Sequence, residues 1–232
     1  MRTTLLMLVC LTACGASTTQ TRRTFPVEVV VTAPTTTLES GWTLSELTGS
    51  MALTELRFFE GRVLVAKRSF LADLLLATAH AHPGHYAPGA SMGEVLMPLD
   101  LDLSRRDSIA WGEANAVTGP YGSAKLGFGA GGVRVKGVAT KAGQTVRFDT
   151  GAFTRAAALE GLRFEHDMDT GPGRVRLEVD LGVLLSRVEF DKAGAPAGPD
   201  GVITFAAGSA ALNGFDRGVT DTSSYRFTWQ AI

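Results

Sequence analysis

Short runs in which apolar and polar residues alternate, separated by glycine, recur along most of this chain and constrain its fold more than any other feature. In the first run, Val27, Val29 and Val31 alternate with Glu28 and Val30. Side chains of a β-strand point to opposite faces in turn, so such runs predict strands with one buried face. Similar runs occupy residues 53–59, 62–66, 95–103, 124–128, 132–139, 145–148, 159–164, 175–179, 202–205 and 225–229.

The separators between these runs are rich in glycine, of which the chain has 27, and the strands do not alternate with long helical segments. A parallel sheet would need such crossover helices. The pattern therefore predicts an all-β fold, an antiparallel β-sandwich of the immunoglobulin-like or jelly-roll-like kind. One or two short helices are expected, at residues 71–79 and at residues 181–187, where Asp180 is placed to cap the first turn.

The N-terminal segment has the layout of a secretory signal peptide. Arg2 precedes an apolar run at residues 5–11, and small residues then lead to Cys14. The run is shorter than the ~20 residues that a membrane-spanning helix needs. The sequence Leu11-Thr12-Ala13-Cys14 resembles a bacterial lipobox, which implies that Cys14 is acylated and becomes the first residue of the mature chain. The alternatives are an ordinary signal peptide and a buried helix.

These features predict three segments: a lipoprotein signal peptide at residues 1–13, a flexible tether at residues 14–24 and a single β-sandwich domain at residues 25–232. The residues of the predicted tether are mostly small and polar, and none has a large apolar side chain. The resemblance implies a chain held to the cell envelope by lipid. Gly15, in place of an aspartate after the acylated cysteine, favours the outer membrane by the sorting rules of such lipoproteins.

Charge and cysteine content exclude several classes of partner and site. The chain has 22 basic and 23 acidic residues with no block of like charge, which makes nucleic acid a poor partner. Its second cysteine, Cys10, lies inside the predicted signal peptide. The mature chain is therefore expected to have no disulfide and no thiolate metal site.

Three of the four histidines, His80, His82 and His85, lie within seven residues of sequence. In an extended segment His80 and His82 point to the same side, and the intervening Pro83-Gly84 favours a turn that brings His85 back toward them. Converging imidazoles suit copper, zinc or nickel. The alternative is a solvent-facing loop in which the histidines only cap turns.

Residue type and position suggest further ligands for this predicted metal site. His166, the fourth histidine, follows the 159–164 run and would complete a tetrahedral set if that strand neighbours the histidine loop. Glu94 is the nearest acid downstream, either as a ligand or as a partner of one. Met92 and Met97 are soft donors that would favour copper, although methionines near apolar strands usually fill the core.

The clustered histidines, the isolated tryptophans and the segment Gly119-Pro120-Tyr121 resemble the MbnP-like periplasmic copper-binding proteins. That resemblance implies a β-rich fold, copper bound by histidines and an oxidised tryptophan, and a dihaem partner protein. Trp111 would be the counterpart of the modified tryptophan, against a simpler role in the core. The chain lacks the cysteines of one branch of that group and its Asn-His pair.

Together these observations predict an envelope lipoprotein that binds copper or zinc through its histidine loop, for capture, delivery or sensing. The alternative is a metal-free structural or protein-interaction lipoprotein that presents its loops to another envelope protein. No nucleophile motif is present, so no catalytic residue is assigned. A hydrolase using a metal-bound water, with Glu94 as its acid, is the third class left open.

Overall fold

The computed structural model of the protein describes residues 20–33, 36–61, 88–196 and 198–232. Within these ranges the chain forms eleven strands, all in one hydrogen-bonded sheet, which confirms the all-β prediction. The strands are β1 (Arg22–Thr32), β2 (Thr43–Phe59), β3 (Ser91–Val95), β4 (Leu99–Asp102), β5 (Ile109–Val117), β6 (Gly119–Lys141), β7 (Gln144–Asp149), β8 (Ala158–Met168), β9 (Gly173–Asp180), β10 (Val202–Thr204) and β11 (Tyr225–Ala231).

The sheet folds over itself into a sandwich-like body. Its main strand order is β10-β7-β6-β2-β3-β5-β1-β9-β11, with β8 also paired to β6 and β4 to β2. The long strand β6 binds β8 through its first half and β7 through its second half. As a result, β1, β9 and β11 face β2, β6 and β8, and side chains from both groups meet in the interior.

Aromatic rings fill the space between these facing strands. The Phe58 ring on β2 lies at the centre, with ring centroids 5.8 Å from Phe25, 5.8 Å from Tyr121, 5.3 Å from Phe164 and 6.2 Å from Phe227. All five side chains are buried. Most of these pairs are tilted or edge-to-face, the arrangements that aromatic quadrupoles favour, so the packing joins five strands that are distant in sequence.

The sheet is mixed, which differs from the predicted wholly antiparallel arrangement. β1 runs parallel to β9, and β10 runs parallel to β7, while the other ladders are antiparallel. The connection from β1 to β9 spans most of the chain, so no crossover helix marks it in the sequence. β1 also begins at Arg22, inside the segment predicted as tether, because residues 22–24 pair with residues 115–117 of β5.

Two short helices close one end of the body. Helix α1 (Leu181–Leu185) follows β9 directly, and the Asp180 carboxylate caps it as predicted, accepting from the backbone N–H groups of Gly182 and Val183. Helix α2 (Ala210–Val219) was not predicted. The other predicted helix, at residues 71–79, lies outside the described residues. No helix in the described ranges has the length and apolar character to cross a membrane.

Candidate functional site

The predicted site residues divide into two groups. Cys14, His80, His82 and His85 lie outside the described residues, so the predictions for them stay predictions. The structure places the remaining candidates, His166, Glu94 and Met92, on two strands, β8 and β3.

His166 lies on β8, which continues beyond the run 159–164 predicted from sequence. Leu162, Phe164, His166 and Met168 point inward, and the intervening residues are exposed. His166 is half-buried, between the buried side chains of Phe164 and Met168 on the inner face of β8. Its backbone is opposite Tyr121 of β6 in the ladder, so its inward position follows from strand alternation.

The imidazole of His166 stacks on the indole of Trp229, with ring centroids 5.0 Å apart and planes 23° from parallel. Trp229 belongs to β11, and no ladder joins β11 to β8 in the described chain. The stack thus holds together the two edges of the folded sheet. Phe25 meets the same indole edge-on, at 5.6 Å and 89°.

A glycine makes room for this tryptophan. A Cβ atom built on Gly173 of β9 would overlap the indole atoms Cζ2 and Cε2 of Trp229. Any side chain at position 173 would therefore displace the ring. The close approach of backbone and indole fixes Trp229 and, through the stack, the orientation of His166.

Arg23 completes the group that we call the seam site, which consists of Arg23, His166 and Trp229. Its guanidinium carbon lies 5.1 Å from the Trp229 ring centroid and 5.6 Å from that of Phe25, within the range of cation–π attraction. The same guanidinium donates to the carbonyl oxygens of Asp169 and of Gly171, the latter at 3.0 Å. Arg23 thereby ties the turn after β8 to strand β1.

The seam site favours the neutral form of His166. Burial is the main cause of a lowered pKa for this imidazole, and the positive charge of Arg23 adds to it, against the opposing carboxylates of Asp169 and Asp167. No side chain or backbone group among the described residues forms a hydrogen bond with either ring nitrogen of His166. A neutral imidazole has a ring nitrogen whose lone pair can bind a metal ion.

Glu94 lies in a different environment. Its carboxylate is 3.9 Å from the Arg57 guanidinium, which also binds Glu55 at 2.9 Å. Lys125 extends this chain of charges, 3.6 Å from Glu55 and 3.6 Å from Glu160. The charges run across the outer face of β3, β2, β6 and β8, where exposed ion pairs contribute little to stability. Glu94 is thus engaged in this network.

Met92 and Trp111 are both buried, in agreement with the role in the core that sequence reasoning gave as the alternative for each. Phe58 pairs with Gly93 and Phe59 with Ser91, so Met92 is an extra residue that turns inward at a bulge. The Trp111 indole N–H donates to the Met97 carbonyl at 2.7 Å. Tyr121 closes the region above Met92, with its hydroxyl 2.8 Å from the Met92 carbonyl oxygen, and burial raises its pKa to about 12.

The histidine-bearing segment 62–87 connects the end of β2 to the start of β3. Gly61 lies two residues after β2, Pro88 lies three residues before β3, and the Gly61 N–H donates to the Pro88 carbonyl at 2.8 Å. The hydroxyl of Ser123 donates to the Gly61 carbonyl at 2.5 Å. Ser123 stands two residues along β6 from Tyr121, the ladder partner of His166. Gly61 and Pro88 therefore lie at the same end of the strands as Tyr121 and His166, with β6 between β2 and β8.

The described residues alone do not assemble a metal centre. No group of three or more histidine, cysteine, aspartate or glutamate side chains converges within residues 20–33, 36–61, 88–196 and 198–232. His166 contributes one potential ligand. Sequence reasoning found this histidine but missed Arg23 and Trp229, for which the alternation of Tyr225, Phe227 and Trp229 was the available signal.

Comparisons with protein-family models, with curated proteins and with solved structures found no match to this chain. The functional argument therefore rests on the residues and geometry of this molecule.

Proposed function

We propose that this chain is an envelope lipoprotein, anchored through Cys14, that binds a copper or zinc ion beside the seam site. Its ligands would be His166 together with imidazoles of His80, His82 and His85. The observation that carries the proposal is the position of His166, which is held face to face with Trp229 and has no hydrogen bond to the described residues, while burial lowers its pKa.

The position of the seam site supports a role for His166 because ligands are effective when their orientation is fixed in advance. Stacking on Trp229 restricts rotation of the imidazole, and Gly173 restricts rotation of the indole. A metal ion at such a ligand loses less binding free energy to side-chain ordering than it would at an exposed histidine.

Chain length also permits the clustered histidines to reach His166. His85 stands three residues before Pro88, and three residues of extended chain span about 10 Å. Pro88 lies beside Gly61, which contacts Ser123, two residues along β6 from the ladder partner of His166. Nitrogen ligands of this kind favour copper and zinc over calcium and magnesium.

Titration calorimetry with Cu(II) and with Zn(II) tests the proposal on the chain from Gly15 onward. We expect about one ion per chain, and weaker binding as the pH falls toward the usual imidazole pKa of ~6.5, because protonated imidazole has no lone pair for the metal. His82→Ala should reduce affinity most, and His166→Ala should reduce it by a smaller factor. Glu165→Gln is the matched control, since Glu165 is the exposed neighbour of His166 on the outer face of β8.

Fluorescence gives a second readout of the position of the metal. Trp42 and Trp111 are buried at 1% and 2% exposure, whereas Trp229 stacks on the proposed ligand. Bound Cu(II) should quench Trp229 emission and Zn(II) should not, because only Cu(II) is paramagnetic. Quenching that persists in the Trp229→Phe variant would place the metal elsewhere, and no saturable binding at neutral pH would refute the metal-binding proposal.

The anchor has its own test. Metabolic labelling with a radioactive fatty acid should label the wild-type chain and should not label the Cys14→Ser variant. Label retained by that variant would refute acylation at Cys14.

A protein-interaction lipoprotein is the second candidate function. Leu96 and Met97, between β3 and β4, are each 56% exposed and adjacent in sequence. Together they form a small exposed apolar surface that a partner could cover. This candidate would replace the first if neither metal binds, and substituting both residues with serine should then weaken the contact with an envelope partner.

A further inference from the structure

A polar cleft of about 690 Å³ lies on the sheet, away from the seam site. Its floor consists of four adjacent strands, β2, β6, β7 and β10, where the second half of β6 pairs with β7. This volume falls within the range typical of sites for small molecules.

Strand register explains which side chains form the floor. Lys136 stands opposite Thr48 on β2 and opposite Asp149 on β7, and Asp149 in turn stands beside Thr204 on β10. The neighbouring row contains Val138 opposite Arg147. Residues in register across strands share one face of the sheet, so these rows present their side chains to the same cleft.

The floor carries more positive than negative charge. Asp149 is 7% exposed and is bound by Arg134, at 2.8 Å through Nε, and by Lys136 at 3.7 Å. Burial opposes ionisation of this carboxyl, but Arg134, the Gly151 amide and Lys136 together lower its pKa. One carboxylate is thus shared by two cations, and Arg147 beside them has no ion-pair or hydrogen-bond partner in the described chain.

Lys136 and Arg147 are diagonal neighbours across the β6–β7 ladder, and such positions lie about 7–8 Å apart. Two long cationic side chains at that separation can contact one anion between them. The hydroxyls of Thr48 and Thr204, on the strands to either side, supply further donors on the same floor.

The rim limits the kind of anion that fits. Glu46 borders the cleft on one side and Asp200 on the other. Glu46 sits at a bulge of β2, between Ser45 and Thr48, with a φ of 54°. Carboxylates at both sides repel an extended polyanion, and they leave room for one anionic group at the centre of the floor.

We propose that this cleft binds a small ligand through a single anionic group, a carboxylate or a phosphate, held by Arg147 and Lys136. The hydroxyls of Thr48 and Thr204, on the strands to either side, are donors for other polar groups of the same ligand. The site is separate from the proposed metal site and does not depend on it.

Titration of the full chain with sodium acetate and, separately, with sodium phosphate tests this site. Amide chemical shifts are followed by NMR at constant ionic strength maintained with sodium chloride. We expect saturable shifts at residues of β6, β7 and β10 with at least one of the two anions. Arg147→Gln should weaken that binding by about tenfold, the effect of losing one charge-assisted hydrogen bond. Lys136→Gln should also weaken it.

Arg163→Gln is the matched control because it removes the same charge from an exposed position on β8 and leaves the cleft intact. The affinity of the Arg163→Gln variant for the anion should equal that of the wild type. Shifts that do not saturate with either anion, or equal affinity of the Arg147→Gln and Arg163→Gln variants, would overturn the proposal. Because Arg147 is exposed and unpaired, its substitution should leave the melting temperature unchanged, so a loss of binding would not reflect unfolding.

Discussion

Strand β9 joins two ends of the molecule that are packed in different ways. It begins at Gly173, against the Trp229 indole of the seam site, and ends at Asp180, which caps helix α1. At the helical end, backbone packs on backbone: Cβ atoms added to Gly214 and Gly218 of α2 would overlap the carbonyl oxygens of Arg187 and Leu184. At the seam end, side chains pack on one another.

The difference indicates where the molecule can accommodate a ligand. At the α1–α2 contact the two backbones approach so closely that no side chain fits between them. The seam site instead ends in an imidazole that stacks on a ring but has no hydrogen bond to the described residues. An available ligand therefore lies at the seam end of β9 and not at the helical end.

The largest expected effect comes from Gly218→Ala. Alanine normally favours a helix by up to about 1 kcal/mol over glycine. Here the added methyl group would overlap the Leu184 carbonyl, and overpacking of this kind costs typically 1–3 kcal/mol. We expect a net destabilisation of about 2 kcal/mol in urea denaturation. Asn213→Ala, at an exposed position of the same helix, is the control, and a Gly218→Ala variant as stable as wild type would contradict the backbone contact.

Gly173→Ala tests the other end of β9. The methyl group would displace the Trp229 indole, at a cost of about 1–2 kcal/mol from overpacking. Because Trp42 and Trp111 are buried, increased acrylamide quenching in this variant would report Trp229. Gly129→Ala is the control, since its Cβ would lie 3.2 Å from the Ala52 Cβ. Unchanged quenching would show that the indole does not depend on the glycine.

Asp180→Ala should have a smaller effect at the helical end. Its carboxylate accepts from the N–H groups of Gly182 at 2.8 Å and Val183 at 3.2 Å, and loss of an N-cap costs about 1 kcal/mol. Asp180→Asn retains an acceptor oxygen and should restore most of the stability. Equal denaturation midpoints for all three chains would mean that the cap does not stabilise α1.

Sequence reasoning succeeded where a pattern is local. Alternation predicted most of the strands, and an aspartate before an apolar turn predicted the cap at Asp180. It missed β5 and most of β3, and the predicted run at residues 62–66 lies outside the described residues. It missed α2 because Gly214 and Gly218 lower helix propensity, although Ser209 gives the ordinary N-cap signal and accepts from the Leu212 N–H at 3.1 Å. These glycines allow the backbone of α2 to approach α1 and the residues after it closely. That contact exists only in the tertiary fold, so the sequence does not show it.

The candidate site also combines a feature that is visible in the sequence with one that depends on the tertiary fold. His166 stands out in the sequence as one of four histidines, but its partner Trp229 is distant in sequence and on a strand with no ladder to β8. Their contact exists because the sheet folds until its edges meet. That folding depends on the parallel pairing of β1 with β9, for which the sequence carries no local signal.

The pH dependence of stability gives the smallest expected effect and tests the seam site directly. The folded-state pKa of His166 is lowered, chiefly by burial with a contribution from Arg23, while the unfolded chain has the usual value of ~6.5. As the pH falls through 6.5, the unfolded chain takes up the proton first, so the free energy of unfolding decreases until the pH is below the folded-state pKa.

His166→Gln removes this pH-dependent contribution to the free energy of unfolding. The free energy of unfolding of both chains is measured by urea denaturation with chelator from pH 7.5 to 5.5. That of the wild type should decrease relative to that of the variant as the pH decreases. Other titrating groups are common to both chains and cancel in the difference. Parallel pH profiles would mean that the His166 imidazole is as readily protonated in the folded chain as in the unfolded one, and the neutral ligand assigned to the seam site would be lost.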